Sequence, residues 1–237
     1  MPNLRSWLVV PASRGEQVDA ALVAGADVVV LDLVELVAPK DKALARSRVR
    51  DAIEAAASKG ALAYVQTDPL NMEADVAACA ARGLAGIVLS RAESDEQVRK
   101  LSVLLDAHER AVGVPPGSIK IVAALETAAG NHNAYDIACA SPRVAALTLG
   151  RADLVMDLRP EPSGELHLMP YLMQRLVLIA GATAKVPLGA WWRSPDRGLL
   201  ATSSNTYEAG ARGRAIGFRG SLCITPSQVE PLNRAYG

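Results

Sequence analysis

Short apolar segments alternate with longer amphipathic stretches along most of the chain. The short segments are rich in β-branched residues and apolar at consecutive positions, as in Val28-Val-Val-Leu31, which is typical of parallel strands that helices cover on both faces. They predict strands at Trp7–Val10, Val28–Leu33, Leu62–Gln66, Gly86–Leu89, Ile119–Leu125, Val144–Leu149, Pro187–Trp191 and Ser221–Ile224. Stretches rich in Ala, Arg, Glu and Leu predict helices, the clearest at Arg14–Ala24, Asp41–Ser58, Glu73–Arg82, Asp95–Arg110, Thr127–Ala140, Pro170–Thr183 and Thr206–Ile216.

Eight strand–helix units predict an α/β fold, a closed (β/α)₈ or TIM barrel. An open doubly wound sheet is the alternative, because the seventh and eighth apolar segments are weak. The 237 residues fit one barrel domain spanning residues 1–237. The connection Arg151–Met169 contains Pro160, Pro162 and Gly164, so we expect a long loop there, and loops of that length are usually functional or mobile.

Composition and charge exclude several classes of function. The chain carries 25 basic and 25 acidic residues, dispersed along the sequence, which argues against nucleic acid or an anionic membrane as a partner. No apolar run approaches the ~20 residues of a membrane span, and the first residues lack the pattern of a signal peptide. The cysteines Cys79, Cys139 and Cys223 lie far apart in apolar contexts, so we expect reduced, buried thiols in a cytoplasmic protein.

Two carboxylates follow neighbouring predicted strands. Glu126 ends the segment Ile119–Leu125, and Asp153 lies in the turn after Val144–Leu149. Because the carboxyl ends of parallel strands meet at one edge, we expect these acids to lie close together where barrels bind ligands. Two hard oxygen ligands suit Mg²⁺. The alternatives are a helix N-terminal carboxylate for Glu126 and a turn or N-cap residue for Asp153.

Other polar residues follow predicted strands and are expected at the same rim. They are Arg14, Asp32, Glu35, Gln66 and Arg91. Arg14 is predicted to grip a substrate carboxylate, although an exposed residue in the first turn of a helix fits its position equally well. For Asp32 and Glu35 the alternative is helix capping, or a link to Lys42 or Arg46.

Several motifs carry a resemblance to a known family. They are Arg5-Ser-Trp-Leu-Val-Val-Pro-Ala-Ser-Arg14, Gly25-Ala-Asp-Val-Val-Val-Leu-Asp-Leu33, Gly86-Ile-Val-Leu-Ser-Arg-Ala-Glu-Ser94, Leu125-Glu-Thr-Ala-Ala-Gly130, Leu149-Gly-Arg-Ala-Asp-Leu154 and Gly217-Phe-Arg-Gly-Ser-Leu-Cys-Ile-Thr-Pro-Ser-Gln228. On these motifs, which are collinear and cover nearly the whole chain, the protein resembles the citrate lyase beta-subunit-like proteins of the HpcH/HpaI aldolase superfamily.

The resemblance implies a TIM barrel that assembles into homo-trimers or hexamers. It implies Mg²⁺, with Mn²⁺ as an alternative, held by the residues that match the family's metal ligands, Glu126 and Asp153. It also implies cleavage or formation of a carbon–carbon bond in a small 2-keto or 3-hydroxy acid, often a coenzyme A thioester. Malyl-, methylmalyl- and citryl-type substrates are typical of the family.

The chain departs from the family pattern at several rim positions. An Arg-hydrophobic-Asn element is replaced by Tyr64-Val-Gln66, so a substrate-gripping arginine is missing; this predicts a substrate with a less charged distal group. The family's Leu-Glu-Asp reads Leu33-Val-Glu35, and a lysine in the fourth loop is Arg91. No C-terminal lid extension is expected, because the sequence ends soon after its last helix begins.

These observations together predict a Mg²⁺-dependent carbon–carbon lyase. Glu35 is the candidate general base and Arg14 the candidate clamp, with Tyr64, Gln66, Arg91 and Glu126 as substrate contacts. The alternative is a catalytically impaired relative that binds a metal or an acid, or that serves as an accessory subunit, because the strand-three arginine is missing.

Overall fold

A computed structural model describes residues 4–160, 162–190 and 201–237, and in it eight parallel strands close into one barrel in sequence order. The strands are β1 Ser6–Pro11, β2 Val28–Asp32, β3 Leu62–Thr67, β4 Leu84–Leu89, β5 Lys120–Leu125, β6 Val144–Leu149, β7 Val186–Ala190 and β8 Gly220–Cys223. Closure comes from β1 and β8, which pair in parallel with Trp7 opposite Leu222. The predicted TIM barrel is therefore confirmed, and the open sheet is excluded.

Helices follow the strands and form the outer layer. Within the described ranges they are α1 Gly15–Val23, α2 Lys42–Ser58, α3 Met72–Ala78, α4 Asp95–Val112, α5 Ala128–His132, α6 Ala134–Cys139, α7 Arg151–Leu158, α8 Pro162–Ala182, α9 Ser203–Ile216 and α10 Val229–Tyr236, with short 3₁₀ turns at Pro39–Asp41 and Pro226–Gln228. None of the described helices is both long and apolar enough to cross a membrane.

Several expectations are corrected. The connection Arg151–Met169 is not a loop but holds α7 and the start of α8. Arg159 turns the chain with a left-handed φ of 46°, and Pro162 lies at the first position of α8, where a missing N–H costs nothing. Cys139 is exposed, whereas Cys79 and Cys223 are buried as expected. The predicted end of the seventh strand, Trp191, lies outside the described residues.

The core has two layers that reflect the alternation of side chains along each strand. On β1, Trp7 and Val9 face the barrel interior, where they belong to the inner apolar cluster. Leu8 and Val10 face the helices and belong to the larger outer cluster. This arrangement explains why the strand sequences are apolar at consecutive positions.

Ion pairs hold the amino-terminal end of the barrel. Arg5 contacts Asp27 through Nε at 3.0 Å and Nη2 at 2.9 Å. Glu109 at the end of α4 accepts 2.6 Å hydrogen bonds from both Nη1 and Nη2 of Arg143. It also accepts the main-chain N–H groups of Gly117 and Ile119, each at 2.8 Å. Burial of Glu109 opposes its ionisation, but these donors prevail and lower its pKa to about 2.

Candidate metal centre

Three carboxylates converge at the carboxyl-terminal end of the barrel. They are Glu35 in the connection after β2, Glu126 directly after β5 and Asp153 in the first turn of α7. One oxygen from each lies within 4.8 Å of the others. The predicted proximity of Glu126 and Asp153 is confirmed, and Glu35 joins them as a third acid. Their role as metal ligands stays a prediction.

The position of Glu126 depends on two neighbouring turns. The main-chain N–H of Arg91 donates to Glu126 Oε2 at 2.7 Å. Arg91 presents this N–H from a left-handed turn with φ of 50°, which a side-chain-bearing residue adopts only at a cost. On the other side, a Cβ at Gly150 would lie 2.4 Å from Glu126 Cγ. Glu126 therefore occupies a slot that exists because residue 150 has no side chain.

Asp32 shapes the loop that carries Glu35. Its fully buried carboxylate accepts main-chain N–H groups from Val34 at 3.0 Å, Glu35 at 3.3 Å and Leu36 at 2.6 Å. Lys42 Nζ donates to the carbonyl oxygen of Val34 at 2.6 Å and also to that of Leu33. Asp32 is thus occupied by main-chain donors of a non-helical loop, so it caps no helix, while Glu35 remains free to face the other two acids.

The environment of this cluster disfavours negative charge. Burial, followed by the charge of Glu35, raises the pKa of Glu126 to about 8, although the N–H of Arg91 works in the opposite direction. Partial desolvation, followed by the charges of Asp153 and Asp32, raises the pKa of Glu35 to about 7. A divalent cation would relieve this repulsion, because it favours the ionised form of every acid around it.

The three acids fit Mg²⁺ by chemistry and approximately by size. Mg²⁺ prefers oxygen ligands at about 2.1 Å, so ligands on opposite sides of the ion are about 4.2 Å apart. The observed separation of up to 4.8 Å needs only small side-chain rotations to close. Mn²⁺ also suits carboxylate ligands.

The carboxylates border a cavity of about 250 Å³ at the mouth of the barrel. Glu126, Asp153, Gly150 and Thr148 lie on its β5–β6 side, and Gln66 contributes an amide that donates to Ser90 Oγ at 2.8 Å. Apolar side chains that line it include Val9, Leu36, Val88, Ala124, Leu222 and Ile224. Among the described residues, no lysine or arginine lines this space.

Of the predicted substrate contacts, Gln66 and Glu126 line the cavity, whereas Arg14, Tyr64 and Arg91 do not. The expected place of Tyr64 is corrected: it lies two residues before Gln66 on the same strand face and therefore one layer deeper. Its ring is only 4% exposed and packs edge-on against Trp7, with centroids 4.8 Å apart. Gly86 leaves room for the ring, since a Cβ there would lie 2.2 Å from Tyr64 Cε1.

Arg14 and Arg91 are exposed residues near the mouth. Arg14 begins α1 as its N-cap, in keeping with the solvent-exposed alternative. Arg91 pairs loosely with Glu93 at 3.6 Å, and the contact it makes with the acid cluster is through its main chain. A substrate-binding role for either guanidinium stays a prediction.

Thr148 and Gly150, which border the acid cluster, were not identified from the sequence. Thr148 on β6 and Gly150 directly after it lie at alternate positions following Ala146, so they share its inward face. The same alternation leads from Val122 through Ala124 to Glu126. Extending the inward register of each strand to its end would have identified both residues.

Comparisons with known proteins place relatives of this chain in one family. The family model described as HpcH/HpaI aldolase/citrate lyase matches residues 5–226. Citrate lyase subunit beta of Haemophilus influenzae is 28% identical over 239 residues, covering 98% of this chain and 79% of that protein. A citrate lyase subunit beta-like protein of Deinococcus radiodurans is 30% identical over 246 residues, covering 99% and 80%.

Solved structures share the fold. The Mycobacterium tuberculosis protein CitE, crystallised with magnesium, acetoacetate and coenzyme A, superposes with a TM-score of 0.75 at 27% identity. The match covers 98% of this chain and 80% of that one.

Proposed function

This chain belongs to the HpcH/HpaI aldolase/citrate lyase family, and we propose that it is a Mg²⁺-dependent carbon–carbon lyase. Its substrate would be a small 2-keto or 3-hydroxy acid, free or as a coenzyme A thioester. The observation that carries the proposal is the convergence of Glu35, Glu126 and Asp153 within 4.8 Å beside a cavity. Relatives named citrate lyase subunit beta and a neighbour holding magnesium with coenzyme A support it.

In this proposal each acid has a distinct task. Glu126 and Asp153 hold the metal, which when bound would supply Lewis acidity to the substrate's oxygens. Glu35 is either a third ligand or the general base, since its carboxylate adjoins both the cluster and the cavity. Gln66 orients the substrate, and Arg91 and Arg14 attract its anionic groups from the rim. Mn²⁺ is the alternative metal in this proposal, because it accepts the same oxygen ligands as Mg²⁺.

The proposal extends to assembly and location. A cavity of about 250 Å³ has room for the acid but not for a coenzyme A moiety, which would have to lie across the rim. We expect a homo-oligomer, a trimer or hexamer, whose neighbouring subunits close that rim. A cytoplasmic location agrees with the unpaired cysteines among the described residues. Light scattering at micromolar concentration tests the assembly, and a 24.9 kDa particle would contradict it.

A second function is favoured by one observation. The family resemblance implies an arginine at the strand-three position that here holds Tyr64, whose ring is buried in the core. A chain without that cation could bind a metal and an acid without turning the acid over, as a sensor or an accessory subunit. Metal-dependent binding of keto acids, with no cleavage of citryl-, malyl- or branched 3-hydroxyacyl thioesters, would favour this second function.

The test is metal binding by calorimetry with Mn²⁺ and Mg²⁺. Glu126→Ala combined with Asp153→Ala should abolish binding, whereas the control Glu54→Ala with Glu230→Ala, which removes two exposed acids, should leave the Kd unchanged. Unchanged affinity in the first variant would show that the assignment is wrong. Glu35→Gln separates its two roles: a ligand loses metal affinity, and a base loses turnover with metal affinity intact.

A further inference from the structure

We propose that the cavity selects a 2-keto acid with a short aliphatic tail, and that the Thr148 hydroxyl hydrogen-bonds to an oxygen of its keto-carboxylate head. This inference rests on the proposed function for the position of the head group. It goes further by assigning a substrate class and a selectivity residue. The cavity has a polar side and an apolar side.

The polar side is formed by β5 and β6. Glu126 and Asp153 are there, and Thr148 lies one layer beneath Gly150, the residue that makes room for Glu126. Thr148 is only 2% exposed, and its Oγ1 has no hydrogen-bond partner in the described structure. A buried hydroxyl without a hydrogen-bond partner destabilises a protein. A ligand oxygen in the cavity would provide the missing partner beside the acid cluster.

The apolar side lies across the barrel mouth, on β1, on β8 and the residue after it, and at Leu36, which follows Glu35 in the loop after β2. Leu222, Ile224, Val9 and Leu36 line it, and Ile224 is 58% exposed. Apolar side chains at an open mouth gain by burial when a tail covers them. A second carboxylate placed there would lose its hydration without a described cationic partner. The wall therefore favours methyl or methylene groups over an anionic distal group.

The size of the cavity limits the tail. At about 30 Å³ for each water-sized group, a volume of about 250 Å³ accommodates roughly eight such groups. A metal ion and the three oxygens and two carbons of the keto-carboxylate head occupy six of these. The remaining volume holds a tail of about two carbons, and a longer tail reaches the open mouth beside Ile224.

The test is calorimetric affinity at saturating Mg²⁺ for pyruvate, 2-oxobutyrate, 2-oxopentanoate and oxaloacetate. Each added methylene should lower the Kd about three- to fourfold. Oxaloacetate should bind at least tenfold more weakly than 2-oxobutyrate. Equal or tighter binding of oxaloacetate, or no gain with tail length, would overturn the substrate class.

Two variants test the assigned contacts separately. Thr148→Val should weaken every keto acid about tenfold or more, while Thr148→Ser restores affinity and both keep the Mn²⁺ Kd of the wild type. Ile224→Ser, at an exposed position, should remove the gain in affinity with increasing tail length and leave pyruvate affinity unchanged. Wild-type affinity in Thr148→Val, or an unchanged series in Ile224→Ser, would refute the respective contact.

The same titrations without metal distinguish the two proposals. If Mn²⁺ fails to bind the wild type, the proposed lyase site is wrong. A tail-length series that still depends on Ile224 and Thr148 would then support the cavity assignment on its own. If metal binds and the keto-acid series is flat, the lyase proposal stands and the selectivity inference fails.

Discussion

Acidic side chains at the two ends of the barrel meet opposite surroundings. At the amino-terminal end, Glu109 receives both Nη groups of Arg143 and two main-chain N–H groups, and its pKa falls to about 2. At the carboxyl-terminal end, burial, followed by the charges of Glu35 and Asp153, raises the pKa of Glu126 to about 8. The same residue type is a stabilising partner at one end and a source of repulsion at the other.

This difference indicates what each end is for. Paired charges fix the loops between α4 and β5 and before β6, so they serve the fold. Unpaired like charges destabilise the protein, and they persist where a ligand uses them. A division between a stabilising amino-terminal face and a functional carboxyl-terminal face is usual in barrels of this kind. Removing charge at the two ends should therefore have opposite consequences for stability.

The largest effect is expected from Arg143→Met. It leaves the buried Glu109 carboxylate without its cation, and breaking a buried pair from one side costs about 3–5 kcal/mol. The free energy of unfolding in urea should fall by that amount. Glu126→Gln at the other end should leave the metal-free protein as stable as the wild type or slightly more stable. A loss below about 1 kcal/mol in Arg143→Met would contradict the stabilising role given to this pair.

The second prediction is a stability optimum near pH 5 in the absence of metal. Glu109 has a folded pKa of about 2 against 4.5 unfolded, so its contribution is present above pH 4.5 and lost as pH falls toward 2. Glu126 has a folded pKa of about 8 against 4.5, so stability is lost as pH rises from 4.5 through 8. Melting temperatures should change by several degrees on each side.

Two controls separate the arms of this profile. Saturating Mg²⁺ should restore stability at pH 8, because the metal binds the ionised cluster of the folded state. Glu126→Gln should remove much of the decline toward pH 8 and leave the acid arm unchanged. A melting temperature that rises steadily from pH 5 to 8 in metal-free protein would contradict the like-charge description of the rim.

Sequence patterns predicted the fold more completely than the site. All eight strands were located. The first six are largely apolar on both faces, a signal that survives without tertiary information, whereas β7 and β8 gave weaker signals. The convergence of Glu126 and Asp153 followed from parallel strands ending at one edge. The region around α7 failed because Pro160, Pro162 and Gly164 read as loop signals, although a proline at the start of a helix is well tolerated.

The remaining differences concern how deep in the barrel a side chain lies and which way it faces, not where its residue lies along the chain. Tyr64 lies on the expected strand, but its ring packs against Gly86 inside the core. No local sequence pattern predicts that its ring is buried there. Glu35 was not grouped with Glu126 and Asp153, because its distance from them depends on how Asp32 and Lys42 fold the intervening loop. Its role as general base stays a prediction. Both questions require side-chain packing between segments far apart in sequence.

The third prediction concerns Gly150→Ala, which tests whether the rim is built around Glu126. A methyl group there would lie 2.4 Å from Glu126 Cγ, so the carboxylate must move away from the other acids. We expect Mn²⁺ affinity to fall about tenfold or more, equivalent to roughly 1.4 kcal/mol. The control Gly181→Ala places a methyl group on α8 with nothing within 4 Å and should leave metal affinity unchanged. Equal affinity in both variants would show that Glu126 needs no such slot.

The smallest effect is expected from Arg91→Gly, which separates the main chain of this residue from its side chain. The N–H of residue 91 contacts Glu126, and glycine keeps that N–H while adopting the left-handed φ of 50° without steric cost. Relief of strain and the greater chain entropy of glycine nearly cancel, so stability should change by less than about 1 kcal/mol. Metal affinity should stay within about twofold. The Arg91 guanidinium is 56% exposed and lies 3.6 Å from Glu93. Its contribution to substrate binding can then be measured from the keto-acid affinity of this variant alone. A loss of metal binding in Arg91→Gly would mean that the guanidinium helps to hold the acid cluster. The acids at the carboxyl-terminal end would then have a cationic partner, as Glu109 has at the amino-terminal end.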